Sequence, residues 1–291
     1  MTSAGRRFTL GHSPDPDDAF MFYAIAENKI DLRGYTFDQQ LQDIQTLNER
    51  CVKGELDISA VSIHAYAYVS DKYALLPCGA SMGDGYGPLV IRKCPTKNGK
   101  QTNLESEQDV RDWLGKARIA VPGKMTSAFL ALQLYLGNFD YVVVPFDRIF
   151  DVVRRGEAQA GLIIHEGQLT FERAGFEKVV DLGEWWTGRT RLPLPLGGNV
   201  VRKHIREQSE IAEILRQSID YGLAHRKEAV AHSMPYARDM ETQLADKFIG
   251  MYVNDLTRDY GQTGRAAIRE FLGQAERAGY LERRVKLEFV A

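Results

Sequence analysis

Proton transfer at a protein site needs a group that titrates near neutrality, and Gly161-Leu162-Ile163-Ile164-His165-Glu166 offers one at the end of an apolar run. The run reads as a buried strand, and ligands of open α/β sheets sit at the carboxyl ends of such strands. His165 is therefore the candidate catalytic residue, a general base for carbon-acid chemistry. Glu166 either orients the imidazole or faces solvent, and the sequence leaves both open. Three further segments bring small polar residues to strand ends. Ser13, in Ser13-Pro14-Asp15-Pro16-Asp17-Asp18, stands between a strand and a helix. Asp17 and Asp18 serve either the site or the helix dipole. Ser59-Ala60-Val61-Ser62 and Lys124-Met125-Thr126-Ser127-Ala128 each lead into a helix whose first N–H groups have no intrahelical acceptor. That setting suits a carboxylate, or simply a capping side chain.

Other chemistry finds less material. Trp185-Trp186 with Arg189 and Arg191 either wall a site for a flat carboxylated ligand or pack a core or hinge. His64 lies just inside a helix and reads as packing. The run Gly79 to Gly87 holds four glycines, but no GK[ST] follows them, so it is not a phosphate-binding loop. No Ser-His-Asp order, HExxH or GxGxxG pattern supports a hydrolase, a zinc enzyme or a dinucleotide site. Cys51, Cys78 and Cys94 are odd in number and lack CxxC spacing, which argues against a disulfide framework and a metal site.

The elements that must position these residues alternate in type. Strands are expected at Phe8–Gly11, Asp57–Val61, Tyr73–Cys78 and Pro88–Arg92. Helices are expected from Pro16 through Asn28, with Asp15 as N-cap, over Asp43–Lys53 with Gly54 as its stop, and from Ser62 to Val69. A polar stretch, Lys93 to Asp109, reads as a crossing between lobes. A second series follows: strands at Arg118–Val121, Tyr141–Pro145, Ala160–Ile164 and Val179–Leu182, and helices from Thr126 to Gly137 and over Arg148–Arg155. Leu192 to Gly198 reads as a return connection into a strand at Asn199–Arg202. Beyond Ile205 the pattern is helical, with Ile211, Ile214, Leu215, Ser218 and Gly222 as an inward stripe, then helices over Met240–Leu256 and Gly264–Ala278. Arg50–Ser62 and Arg154–His165 echo one another: helix, Gly-Glu, apolar strand, polar residue.

Such alternation predicts an α/β chain with two lobes, 1–92 plus 200–291 and 93–199, and a ligand cleft between them. The length of 291 residues suits two cores. A net charge of −2 gives no general attraction to nucleic acid or anionic membrane. An anion site must then be local. No apolar run approaches the ~20 residues of a membrane span, and no apolar h-region follows Arg6 and Arg7, so a cytoplasmic location is expected.

Four motifs in order, Ser13-Pro14-Asp15-Pro16-Asp17-Asp18-Ala19-Phe20, Gly161-Leu162-Ile163-Ile164-His165-Glu166, Asp181-Leu182-Gly183-Glu184-Trp185-Trp186 and Leu192-Pro193-Leu194-Pro195-Leu196-Gly197, resemble the 1,4-dihydroxy-6-naphthoate synthase family of the futalosine route to menaquinone. The resemblance runs from about Thr9 to Ala278. A commoner version of the first motif reads Ser-Pro-Cys-Pro-Asn-Asp-Thr; Asp15, Asp17 and Ala19 replace its Cys, Asn and Thr here. The resemblance implies a two-lobed periplasmic-binding-protein type II-like fold, each lobe a mixed sheet flanked by helices, with a helical C-terminal region. It implies a carbon–carbon lyase that fragments cyclic dehypoxanthine futalosine to 1,4-dihydroxy-6-naphthoate and a three-carbon dihydroxyacetone fragment. It also implies His165 as the proton acceptor, substrate contacts at Ala60, Val61, Ser62, Ser127 and Ala128, and no metal or organic cofactor. With Ser13 and Thr126 these make the candidate substrate-binding set, for a small anionic carboxylated substrate. Two competing readings are chorismate dehydratase of the same pathway and a non-catalytic solute-binding protein.

Overall fold

The structure, a computed structural model, describes residues 5–94, 104–238, 240–282 and 284–291. In the first lobe the chain runs β1 (Arg7–His12), α1 (Pro16–Ala26), β2 (Thr36–Leu41), α2 (Ile44–Lys53), β3 (Ile58–Ser62), α3 (Ile63–Val69), β4 (Tyr73–Leu75) and β5 (Ser81–Gly83). The second lobe holds β6 (Leu89–Lys93), α4 (Glu107–Leu114), β7 (Arg118–Val121), α5 (Ser127–Leu136), β8 (Asp140–Val143), α6 (Ile149–Arg154), β9 (Ala160–Ile163), α7 (Gly167–Thr170), β10 (Phe176–Asp181) and α8 (Leu182–Thr190). The chain then returns through β11 (Leu194–Arg202) to α9 (Gln208–Ala224), α10 (Arg226–Ser233), α11 (Thr242–Tyr252), α12 (Asp255–Arg258) and α13 (Gly261–Arg277).

Strand pairing explains the two lobes. The first sheet has the order β2-β1-β3-β11-β4, with β5 also on β11; the second has β10-β6-β9-β7-β8. In each, three parallel strands from a β-α-β-α-β run (β1, β2, β3 and β7, β8, β9) meet an antiparallel strand contributed after a crossover, β11 or β6. The Gly-Glu echo falls at equivalent places, between α2 and β3 and between α6 and β9. Because the units match, both lobes present strand carboxyl ends and helix starts of the same kind. Every residue of β3 and β9 is buried, Ser59 and Ser62 of β3 included.

The helical C-terminal region packs on this frame. Ile211, Ile214, Leu215, Ser218 and Gly222 are all buried on one face of α9, against α1. The Ser218 hydroxyl donates to the Met21 carbonyl at 2.7 Å, and Gly222 lets α9 come close to Phe20. Burial pushes the Cys51 thiol up to about 11 and the Cys78 thiol to about 12, so both pack as neutral small apolar groups.

Several expected boundaries move. β6 pairs with β9 and β10, so the first crossing lies at 84–88, where Gly85 (φ 77°) turns the chain, and not at Lys93. Residues 95–103 of the polar stretch lie outside the described residues; its end caps α4 through a reciprocal Ser106–Asp109 pair. β11 begins at Leu194, within the expected return connection, because Pro195 sits where the strand meets only the short β5. The lobe boundaries therefore fall near 88 and 193. β2 was not expected: Thr-Phe-Asp-Gln-Gln-Leu is too polar to signal a strand, yet it forms a sheet edge paired in parallel with β1. Pro77 ends the strand expected to reach Cys78, which stops at Leu75.

α8 decides between two roles that the sequence left open. Trp185 and Trp186 are not at a ligand site. Trp186 is fully buried, its indole N–H donating to the Pro193 carbonyl at 3.1 Å and its ring meeting Phe271 edge-on. Trp185 packs edge-on against Tyr135. Their place in the core follows from Gly183, where a Cβ would overlap the Tyr86 carbonyl of the first crossing. Asp181 caps this helix, accepting from Gly183 and Glu184 N–H at 2.8 and 3.0 Å. Gly183→Ala should lower stability by about 1–3 kcal/mol. Urea unfolding checks this, and an unchanged midpoint would mean that the crossing does not rest on α8.

Candidate active site

Four strand ends converge on one cavity. The segment after β1 supplies Ser13, Asp15, Asp17 and Asp18, the end of β3 supplies Ala60, Val61 and Ser62, the start of α5 supplies Thr126, Ser127 and Ala128, and the end of β9 supplies Ile164. β11 closes one wall with Leu196 to Asn199, and Phe248 and Tyr252 of α11 cover another side. The empty space among these residues is about 780 Å³, the open solvent at its mouth included. All seven expected substrate-binding residues thus line one space, although they come from both lobes.

What joins the lobes here is a set of buried hydrogen bonds around the turn before α5. Met125 N–H donates to Gln45 Oε1 at 3.1 Å, and the fully buried Asn48 donates from Nδ2 to Ser62 Oγ (3.1 Å) and the Met125 carbonyl (3.5 Å). Asn48 Oδ1 accepts from Ser62 N–H at 2.9 Å. Ser127 Oγ accepts from His64 N–H at 3.1 Å and donates to the Leu196 carbonyl at 2.5 Å. The expected packing role of His64 has a definite form: Nδ1 bonds the Thr126 carbonyl at 3.3 Å. Thr126 Oγ1 caps α5, accepting from Phe129 N–H at 3.1 Å, and donates to the Gly123 carbonyl at 2.9 Å.

These bonds change what the helix starts offer. Ser62 is the N-cap residue of α3 without a side-chain cap bond, because Asn48 occupies its hydroxyl. The hydroxyls of Thr126 and Ser127 are likewise committed within the protein. At α5 the groups left to a ligand are backbone N–H groups, those of Ser127 and Ala128 having no intrahelical acceptor. At α1, Asp15 is the N-cap residue but its side chain does not cap. It accepts from Ser13 Oγ at 2.9 Å, while the Asp18 carboxylate takes the Ser13 N–H at 2.7 Å.

The electrostatics are lopsided. Among the described residues, three aspartates line the cavity and no lysine or arginine does. Burial, then the charges of Asp18 and Asp15, pushes the Asp17 carboxyl well above the usual carboxylate range. Burial also raises Asp18, only partly offset by His12 and by the hydrogen bonds from Ser13. Both shifts favour protonated acids at this rim, which moderates the negative field met by an anion.

His165 is not among the residues lining this cavity. It follows β9 by two positions and lines an adjoining cavity with Phe146, Phe150, Glu166, Gly167 and Arg238. The ring is buried, and its Nδ1 accepts from Gly167 N–H at 3.0 Å while Nε2 faces the Phe146 carbonyl at 3.3 Å. That pair of partners assigns the proton to Nε2. Phe146 meets the ring edge-on. Glu166, open between two roles in the sequence, is buried with Oε2 3.6 Å from His165 Nδ1. Burial favours its neutral form, yet the neighbouring His165 and the bond and charge of Arg238 prevail and hold its carboxyl below the usual range. Sequence reasoning missed Asn199, Tyr252 and Arg238, which carry no local motif and lie far along the chain from the groups they meet.

Comparison with known proteins now has a geometry to explain. A family model described as menaquinone biosynthesis matches residues 8–277. The chain belongs to this menaquinone biosynthesis family. It is 37% identical over 272 residues to the 1,4-dihydroxy-6-naphthoate synthase of Thermus thermophilus, covering 93% of this chain and 94% of that one. A crystal structure of a protein from Archaeoglobus fulgidus is similar with a TM-score of 0.86 and 38% identity, covering 96% of this chain and 100% of that one. A Candida albicans gene product described as having the generic periplasmic-binding-protein fold matches with a TM-score of 0.68 and 12% identity, over 96% of this chain and 92% of that one. The two-lobed binding-protein fold is thus shown for this family member. Among the described residues, no helix is long and apolar enough to cross a membrane.

The lobe-joining bonds make a pH-dependent prediction. Burial lowers the His64 imidazole from 6.5 to about 4, the Thr126 carbonyl opposing only in part. As pH falls from 6.5 towards 4, the unfolded chain binds a proton that the folded chain refuses. Stability should then drop by about 3 kcal/mol across that window. Urea unfolding at pH 7 and pH 4.5 should show a smaller acid loss in His64→Gln than in the parent chain; equal losses would remove His64 from the account.

Proposed function

We propose that the chain is a 1,4-dihydroxy-6-naphthoate synthase, a carbon–carbon lyase acting on cyclic dehypoxanthine futalosine. The observation that carries this reading is the likeness to a relative of that name over nearly the full length of both chains. The site supports it on chemical grounds. Fragmentation of this substrate releases a three-carbon dihydroxyacetone unit and leaves an aromatic naphthol, so aromatisation supplies driving force. The protein then needs to bind a carboxylate, take a proton from carbon and exclude water.

The backbone N–H groups of Ser127 and Ala128 suit a hydrogen-bonded anchor for the substrate's hydroxyl and carbonyl oxygens, beside Ser13, Ala60, Val61, Ser62 and Thr126. His165 is the base. Both its ring nitrogens are engaged in the present arrangement, so taking a proton requires one partner to be exchanged for substrate. Relative movement of the lobes along the two crossings, 84–88 and 191–193, supplies that change and closes the cleft to water. The location we infer for such a biosynthetic step is cytoplasmic.

The direct test incubates the purified protein with cyclic dehypoxanthine futalosine and follows naphthoate by absorbance and mass. Formation of 1,4-dihydroxy-6-naphthoate is expected; turnover of chorismate in its place, or tight binding without turnover, would sink the reading. His165→Ala should lower kcat by roughly 10²-fold or more with substrate affinity largely kept. Near-normal turnover in that variant would make His165 structural.

A further inference from the structure

Arg238 bridges the cavity that gathers the anchors and the one that holds His165. Arg238 lines the second cavity, and its Nη2 reaches Asp15 Oδ1 of the first at 3.2 Å. Its Nη1 donates to Glu166 Oε1. The guanidinium lies 4.8 Å from the centroid of the Phe146 ring, whose residue also supplies the carbonyl on His165 Nε2. Arg238 therefore holds the N-cap residue of α1 in the first lobe to the end of β9 in the second. Its backbone is left-handed, with φ 49°, a conformation that a bulky residue adopts at a cost.

The three contacts are unequal. Glu166 has a side chain 7% exposed, and its second carboxylate oxygen is buried without a hydrogen-bond partner among the described residues. Losing Arg238 would leave that charge dry, so this pair holds. Asp15 is 25% exposed and already accepts from Ser13 Oγ. A partly exposed pair of this kind contributes less than a buried one and exchanges more readily. Meanwhile the first cavity has no lysine or arginine in its lining among the described residues, and the guanidinium fork matches a carboxylate in shape as well as charge.

We propose that Arg238 recognises the carboxylate of an aromatic acid bound across the two cavities, exchanging Asp15 for that carboxylate while keeping Glu166. The Asp15–Arg238 pair is then the bar between anchors and base, and only a ligand that carries its own carboxylate lifts it. The aromatic acid meant here is the one named under the proposed function, on which this assignment rests.

Binding calorimetry under reducing, oxygen-free conditions tests it with two probes, 1,4-dihydroxy-6-naphthoate and its carboxamide. The parent protein should prefer the carboxylate by roughly ten- to hundredfold. Arg238→Gln should remove that preference by weakening the carboxylate alone, and Arg238→Lys should keep part of it. Asp15→Asn should tighten the carboxylate several-fold in the parent background and have no such effect together with Arg238→Gln. A preference that survives Arg238→Gln, or equal binding of both probes by the parent protein, overturns the assignment and leaves the synthase reading standing. Failure of the parent protein to bind either probe overturns both.

Discussion

A helix start carried by one lobe and buried against the other cannot leave its polar atoms dry. The turn before α5 belongs to the second sheet, yet Gln45, Asn48 and His64 of the first lobe, with the Leu196 carbonyl of β11, supply its partners. An unmade bond at such a buried place costs ~1–3 kcal/mol. Position and register of the two lobes are therefore constrained at the point where their strand ends face each other. Gly123 belongs to the same constraint, since a Cβ there would run into Gln45. The cavity exists because these bonds hold the start of α5 over the end of β3.

From that constraint the character of the site follows. At the start of α5 the Ser127 hydroxyl joins the lobes and the Thr126 hydroxyl caps the helix, which leaves the backbone N–H groups of that turn to a ligand. Backbone donors are fixed by the helices that carry them, which gives a preorganised anchor with no side-chain entropy to lose. The acids after β1 make the opposite rim negative, and burial raises Asp17 and Asp18 towards neutrality. Positive charge enters from the side, through Arg238, and brings Glu166 and the surroundings of His165 with it. A fold shared with solute-binding proteins thus supplies a cleft between two lobes, and His165 lines a cavity beside it.

Much of this was legible in the sequence where chemistry and secondary structure use the same signals. Helix starts and strand ends are marked by Ser, Thr, Gly and Pro at the edges of apolar runs, and so Ser13, Ala60 to Ser62 and Thr126 to Ala128 were found and share one cavity. The two-lobed α/β class followed from the same alternation. What failed to show was of another kind. β2 is a polar edge strand stabilised by pairing with β1, and α8 is a helix with two glycines and two tryptophans whose capping by Asp181 and packing on Phe271 override weak propensity. Arg238 sits on a left-handed residue in a turn, 223 positions from Asp15 and 72 from Glu166, and no local pattern announces such a bridge. The partners of His165 were hidden for the same reason, because Phe146 reaches it only through the packing of the second lobe.

The central claim is that one ligand spans both cavities, anchored at the start of α5 and presented to His165 past Arg238. A crystal structure of the His165→Ala variant with cyclic dehypoxanthine futalosine bound tests this most directly. The account predicts substrate atoms within hydrogen-bond distance of the Ser127 and Ala128 N–H groups, the reacting carbon beside position 165, and Arg238 turned from Asp15 onto the carboxylate. Substrate confined to one cavity, with the Asp15–Arg238 pair intact, would contradict it.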